Sequence, residues 1–459
     1  MSVNDRIAQQ IKRYTKITPT NATGSGIFSF KNGNPILRYT IAEADAFLLA
    51  PETRFQFKLK AFNGTTGRCI TQEDAMNLDS KVMSNSVIHQ LTISSRRYAT
   101  SIAEQILNYN QLVSIAHPVL SSARDYATQR SHESMAVGKG ILNRKELNQD
   151  NAKRRLNDVN VASLQHKYIA CGNNGGPVIS ANNLGWDCSV PLYCGMFMSE
   201  NLDLRLLGGL EIEITLSPDQ AIFNNADSNT YYELSECVLN APILYKSAQQ
   251  MSQSVGPTSF DFLSFTSLYN VIQSTSATIT NKVGLRGALS MVQKFVPVSY
   301  LNNPAQKGLA GWNIGVKRLT FHRNGQRFPL EYSIETERGS GTPQNELIKE
   351  KNPQVLVNSL SAFENYKDVK HSTITSQNLA DVSDNFYFMG VSFDQVSGQG
   401  IDLSGGTIST EVDSTLQSQT FGANGESTGV AVVPFGVFTF FLNKETLMIQ
   451  PNQRITSIE

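Results

Sequence analysis

One local pattern occurs in both halves of this chain. Gly208-Gly209 leads into Leu210-Glu211-Ile212-Glu213-Ile214-Thr215-Leu216, a strict alternation of apolar and polar residues. Gly405-Gly406 leads into Thr407-Ile408-Ser409-Thr410-Glu411-Val412, the same layout in weaker form. Alternation with a period of two marks a strand with one buried face. A similar run of strand patterns and a short helix surrounds each copy, which constrains the chain to a β-rich fold of two similar halves. The echo has a flaw. Counted from the glycines, Leu210, Ile212 and Ile214 alternate at once, whereas Ile408 and Val412 sit one position over. A one-residue slip exchanges the buried face for the solvent face, so the glycine pairs need not be equivalent even if the strands are. If the two strands do not hold matching places, the duplication loses its main internal support.

Length agrees with two halves. A chain of 459 residues exceeds what one compact core accommodates, so two domains are the default. Residues 1–24 read as an N-terminal arm, 25–250 as the first domain and 251–459 as the second, with Gly256-Pro257 in the linker. Charged residues make up 17% of the chain, below the globular average of about a quarter, and Ser, Thr, Asn and Gln take their place. Formal net charge is zero, which gives no whole-chain sign of nucleic-acid binding. No apolar run approaches the roughly 18 residues of a membrane span, and Met1 to Lys16 lacks the apolar region of a secretory signal. The five cysteines, Cys69, Cys171, Cys188, Cys194 and Cys237, form no CxxC pair. They read as reduced thiols in a chain made in the cytosol.

Along the chain, Ile7, Ile11 and Tyr14 would share one helical face, and Arg6, Lys12, Arg13 and Lys16 make the arm basic. These four are the candidate residues for contact with an anionic surface or a neighbouring subunit. Strand patterns fall at 55–61, 87–93, 168–170, 190–198, 202–207, 210–216, 232–239 and 243–245 in the first half. In the second they fall at 260–265, 278–283, 316–322, 328–334, 386–393, 406–412, 430–433, 438–442, 447–449 and 454–458. Asn324-Gly325 is a strong two-residue hairpin signal. Helices are expected over 101–115, where Ser101 and Glu104 have capping-box spacing, over 285–296 from Leu285, Leu289, Val292 and Val296, and over 353–366 with Pro353 in the first turn. Residues 123–165 are polar, mixed in charge and weakly periodic, as a long excursion or inter-subunit contact would be. Many short strands without a βα rhythm favour sandwiches, and each half has room for an eight-stranded jelly roll.

Catalytic motifs are nearly absent. Gly425-Glu426-Ser427-Thr428-Gly429 has the letters of a nucleophile elbow but lies in a polar loop before a strand, where the elbow needs a strand before it and a helix after. Gly138-Lys139-Gly140 lacks the rest of a P-loop, and His132-Glu133 has Ala136 where a zincin has its second His. No two histidines stand at i, i+2 or i, i+4. His89 and His322 read as hydrogen-bonding residues near strand ends, Glu211 and Glu213 as an outward face, and Trp186 and Trp312 as packing or interface anchors. No catalytic residue, metal or cofactor is expected.

Trp186 to Phe197, the 202–207 segment and the Gly208 to Leu216 strand together resemble the late strands of the first jelly roll in double-jelly-roll major capsid proteins. The strand and helix pattern over 87–110 is similar to the segment before them. In the second half, Leu319 to Pro329 resembles that family's strand, Asn-Gly turn and proline, and Phe388 to Asp394 with Ile401 to Gly406 resembles its late strands. The likeness spans most of residues 30–459, and it points to the polinton-like viruses and virophages within the tectivirus–adenovirus lineage. The resemblance implies an all-β fold of two consecutive eight-stranded antiparallel jelly rolls with short helices in loops. It also implies a capsid protein of an icosahedral double-stranded DNA virus that forms trimeric, pseudo-hexameric capsomers in the virion. Implied partners are other copies of the chain, penton and minor capsid proteins, and an internal membrane or genomic DNA touched by the arm. A carbohydrate-binding or cupin-like β-sandwich is the alternative, and it would need a clustered aromatic or His/Glu pocket.

Overall fold

The computed structural model describes residues 12–43, 45–62, 64–65, 87–97, 100–120, 186–199, 201–222, 229–246, 258–301, 303, 311, 316–328, 333–338, 348–350, 354–364, 366, 387–393, 400–414, 417–421, 427–449 and 456–458. The excursion at 123–165, the strand pattern at 168–170 and Trp312 lie outside them.

The first half contributes β1 (Lys12–Ile17), β2 (Ile36–Ile41), β3 (Ala46–Leu48), β4 (Arg54–Phe62), β5 (Ile88–Ser95), β6 (Ser101–Ile106), β7 (Trp186–Pro191), β8 (Leu202–Asp203), β9 (Leu210–Leu216) and β10 (Tyr231–Tyr245). The second contributes β11 (Thr258–Ile272), β12 (Ser276–Asn281), β13 (Ala288–Pro297), β14 (Val316–Arg323), β15 (Gln326–Arg327), β16 (Ser333–Arg338), β17 (Ile348–Glu350), β18 (Phe388–Ser392), β19 (Ile408–Ser414), β20 (Gln417–Phe421), β21 (Ser427–Val432), β22 (Phe435–Ile449) and β23 (Thr456–Ile458). Helices are short: α1 (Tyr109–Leu120), α2 (Gly195–Ser199), α3 (Leu204–Leu207), α4 (Asp219–Ile222) and α5 (Gln354–Glu364).

Pairing proves the duplication. In the first half β1, β10, β4 and β7 lie side by side in one sheet and β2, β9, β5 and β6 in another. In the second half β11, β22, β13 and β18 form one sheet and β12, β19, β14 and β16 the other. With these eight strands of each half alone numbered in chain order, both halves have the order 1-8-3-6 in one sheet and 2-7-4-5 in the other. All these pairs are antiparallel. This is a double jelly roll. The echo strands β9 and β19 are the seventh strand of each roll.

Their register resolves the phase flaw. Leu210 pairs with the last residues of β2 and β5, Ile41 and Ser95. Ile408 pairs with the last residues of β12 and β14, Asn281 and Arg323. Leu210 and Ile408 are therefore equivalent, and the glycine pairs are offset by one residue. They also do different work. Gly208, at φ 64°, caps α3 in the left-handed region, and a Cβ on Gly209 would stand 2.5 Å from the Ile41 carbonyl oxygen. A Cβ on Gly406 would instead meet the Asn324 side chain of the β14–β15 hairpin at 2.2 Å.

The expected helix over 101–115 is corrected. Residues 101–106 form β6, paired to β5, and the helix starts at Tyr109; Glu104 lies in the strand and takes no part in capping that helix. The helix over 285–296 is corrected too: Ala288–Pro297 is a strand buried at every position. A run of apolar residues fits a two-sidedly buried strand as well as a buried helix face, and periodicity alone does not separate them. Segment 190–198 divides into β7 and α2, and 202–207 into β8 and α3. The Gly425–Gly429 stretch, expected as a polar loop, runs into β21, which pairs with β20 as a hairpin. The helix near 353–366 is present as α5.

Candidate functional site

The two rolls meet across a buried seam of polar groups. The first roll supplies β6, α1 and α2, and the second supplies β11, β13 and α5. On β6, Glu104 points inward with 2% of its surface exposed. Its carboxylate accepts hydrogen bonds from the Gly195 and Met196 backbone N–H groups at 2.7 and 2.9 Å and from the Ser264 hydroxyl of β11 at 2.8 Å. Burial outweighs these three donors and pushes its carboxyl up to about 7. One side chain thus ties α2 of the first roll to the first strand of the second. Gly195 is indispensable there, because a Cβ would fall 1.5 Å from the Leu263 carbonyl oxygen of β11.

On α1 the same logic runs in the other direction. Lys294 of β13 is completely buried and donates to Gln111 Oε1 at 2.8 Å and to the Ser114 hydroxyl. Burial, the dominant cause, holds its ammonium well below the usual lysine range. Farther along, Asn108 donates to Ser267 of β11 at 2.9 Å, and Ser290 of β13 donates to the Ala362 carbonyl of α5. Behind them the Tyr109 hydroxyl accepts from the Tyr193 backbone N–H at 2.7 Å, and His117 Nδ1 lies 2.7 Å from the Tyr193 hydroxyl. Burial raises the Cys194 thiol and Tyr366 hydroxyl well above their ordinary values, so neither is poised as a nucleophile or base. A closed arrangement of buried, mutually bonded polar groups like this fixes two bodies against one another.

The basic arm residues are dispersed. Arg6 lies outside the described residues. Lys12, Arg13 and Lys16 lie on β1, which pairs along β10 instead of forming a helical stripe. Lys12 donates to both Glu52 oxygens at 2.9 and 2.7 Å, and that hydrogen bond is the main cause raising its pKa. Arg13, Tyr14 and Lys16 are exposed. On the outer face of β9, Glu213 meets Arg38 at 2.8 Å and Glu211 meets Arg96 at 3.4 Å. His322 lies 3.3 Å from Glu411. Cys188, Cys194 and Cys237 are buried. Ser427 opens strand β21. Among the described residues no three His, Cys, Asp or Glu are gathered for a metal, and no helix is long and apolar enough to cross a membrane.

The seam leaves little trace in the sequence. Lys294 had a signal: a lone lysine within a ten-residue run that is otherwise apolar or uncharged. Glu104 was seen, but in the role of a helix cap.

No protein-family model and no curated protein matches the sequence. Solved structures match along nearly its whole length. PBCV-1 VP54, fitted into a reconstruction of the virophage Sputnik, superposes with a TM-score of 0.55 at 9% identity over 98% of this chain and 97% of that one. The PBCV-1 virus capsid gives 0.56 at 9% identity over 98% and 97%. A chain of the Sputnik virophage gives 0.51 at 9% identity over 98% and 88%. At such identities the likeness is one of fold, and it takes in both rolls together.

Proposed function

We propose that this chain is the major capsid protein of an icosahedral double-stranded DNA virus, of the type found in virophages and polinton-like viruses. The observation that carries the reading is the fusion of two jelly rolls of identical strand order along a buried polar seam. One chain then presents two similar wedges in a fixed relation. Three chains about a threefold axis make six wedges, a pseudo-hexagonal block that closes a lattice with one kind of subunit. The likeness to the PBCV-1 capsid and to Sputnik over 98% of the chain supports it.

In this reading the chain works in the virion as a building block, without catalysis, after synthesis in the host cytoplasm. Its main partner is itself, with penton and minor capsid proteins at the lattice edges. Arg6, Arg13 and Lys16 would face an internal membrane or genomic DNA, while Lys12 holds β1 to Glu52. Light-scattering mass and electron microscopy of the purified full chain test the proposal. The expected result is a trimer with a hexagonal outline. A stable monomer at micromolar concentration that forms no trimer or shell overturns it.

A further inference from the structure

A cleft of about 540 Å³ opens at one end of the first roll, between the turn that follows Phe28, the start of α4 and the start of β10. That size suits a small organic ligand, for which sites run from roughly 300 to 1,000 Å³. Its wall is tight at one point, where a Cβ on Gly64 would fall 1.9 Å from the Asn229 carbonyl oxygen.

Three groups in the cleft share one preference. Asp219 is buried, and one carboxylate oxygen accepts from the Tyr232 backbone N–H at 3.1 Å. The other oxygen remains for a ligand, and burial pushes the carboxyl up to about 6. Thr230 is 3% exposed and its hydroxyl oxygen has no hydrogen-bond partner. A buried hydroxyl without a partner is costly and points to a missing one. Tyr231 stacks on Phe62 at 5.0 Å between ring centroids, and the Lys31 ammonium sits 3.6 Å from the centroid of its ring.

We propose that this cleft binds a primary ammonium group on a short alkyl chain. A primary ammonium has three N–H donors and no acceptor, which matches the free Asp219 oxygen and the Thr230 hydroxyl, with a third donor left for water. The Tyr231 ring face adds a cation–π contact, one that the exposed Lys31 side chain now makes from within the molecule. An anion would be repelled by the buried carboxylate, and no cluster of metal-binding side chains lies among the described residues. Lys31 is thus an internal competitor. The natural ammonium is either a diffusible amine or a lysine of another copy of the chain. The inference does not depend on the capsid reading.

Calorimetric titration of the full chain with 1,4-diaminobutane at pH 8 and low salt, with 1-butanol as the uncharged control, tests it. The amine is expected to bind saturably and butanol to show no binding. Asp219→Asn keeps an oxygen for the Tyr232 N–H and should weaken the amine at least about tenfold, as loss of a charge-assisted hydrogen bond does. Thr230→Val should weaken it several-fold, and Lys31→Ala should strengthen it. Unchanged melting curves establish that the variants fold. If the donor is a lysine of another copy, self-association blocks the amine and Asp219→Asn loosens the association; if it is a free amine, the associated and separated chains bind alike. Absence of saturable binding, equal binding of butanol, indifference to Asp219→Asn, or loss of binding in Lys31→Ala overturns the proposal.

Discussion

The third strand of each roll has the same partners and a different surface. β4 of the first roll alternates: Phe55, Phe57 and Leu59 are buried, while Gln56, Lys58 and Lys60 are half-exposed. β13 of the second roll is buried on both faces. Its Ser290 and Lys294 face α5 and α1, so the seam takes the side that β4 leaves to water. The seventh strands differ in the other direction. β9 buries Leu210, Ile212, Ile214 and Leu216, each side chain contributing about 1.5–3 kcal/mol. β19 buries Ile408, Thr410, Val412 and Ser414 at the equivalent places, and the Thr410 and Ser414 hydroxyls have no hydrogen-bond partner. The first roll is stabilised mainly by its own sandwich; the second leans on what covers it. Identical topology therefore does not mean identical sources of stability.

The sharpest way to break the comparison is to separate the rolls. Gly195→Val puts side-chain atoms into the Leu263 backbone and should cost about 3 kcal/mol or more. Calorimetry should then show two transitions, with the second roll melting first. A single transition at the original temperature would mean that the seam does not couple the halves.

Next comes the core of the seventh strands. Ile214→Ala in β9 should destabilise by about 2–4 kcal/mol, and Val412→Ala in β19 by about 1–2 kcal/mol. Denaturant unfolding measures both, and equal losses would erase the proposed difference between the rolls.

Glu104 gives the seam a pH dependence. Its carboxyl titrates near 7 in the folded protein, above the ordinary 4.5, so the folded state holds the proton more tightly than the unfolded chain. The stability this contributes is complete below about pH 4.5 and is lost as pH rises through 7, a span of roughly 3 kcal/mol at most. Melting curves from pH 5 to 8.5 should fall for the wild type. In Glu104→Gln that fall should flatten, and an unaltered slope would remove Glu104 as its source.

The smallest effect has the opposite sign. Thr410→Val removes a buried hydroxyl that lacks a partner and should stabilise the second roll by about 1 kcal/mol. Destabilisation instead would reveal a bonded hydroxyl.

Much of the fold was legible because strands with one wet face announce themselves. β9 matches its alternation residue for residue, β4 and β14 nearly so, and Asn324-Gly325 turns where expected, with Asn324 at φ 51° and Gly325 at φ 78°. The errors fell where solvent is excluded from both faces. In β13 the polar side of the period is gone, and a buried strand then looks like one face of a helix. In β6, Ser101 and Glu104 carry the letters of a cap, yet Glu104 answers to Gly195, Met196 and Ser264, which are distant in sequence.

By itself the sequence determined the all-β class, two halves, the seventh strand of each and the scarcity of catalytic motifs, because the period of a half-buried strand is local information. Tertiary structure alone decided that Leu210 and Ile408 are the equivalent pair, that Lys12–Ile17 belongs to the first sheet, and that Glu104 and Lys294 fasten the rolls together. Those outcomes depend on which surfaces meet, and a carboxylate or an ammonium has a meaning only once its distant partners and the absence of water around it are fixed.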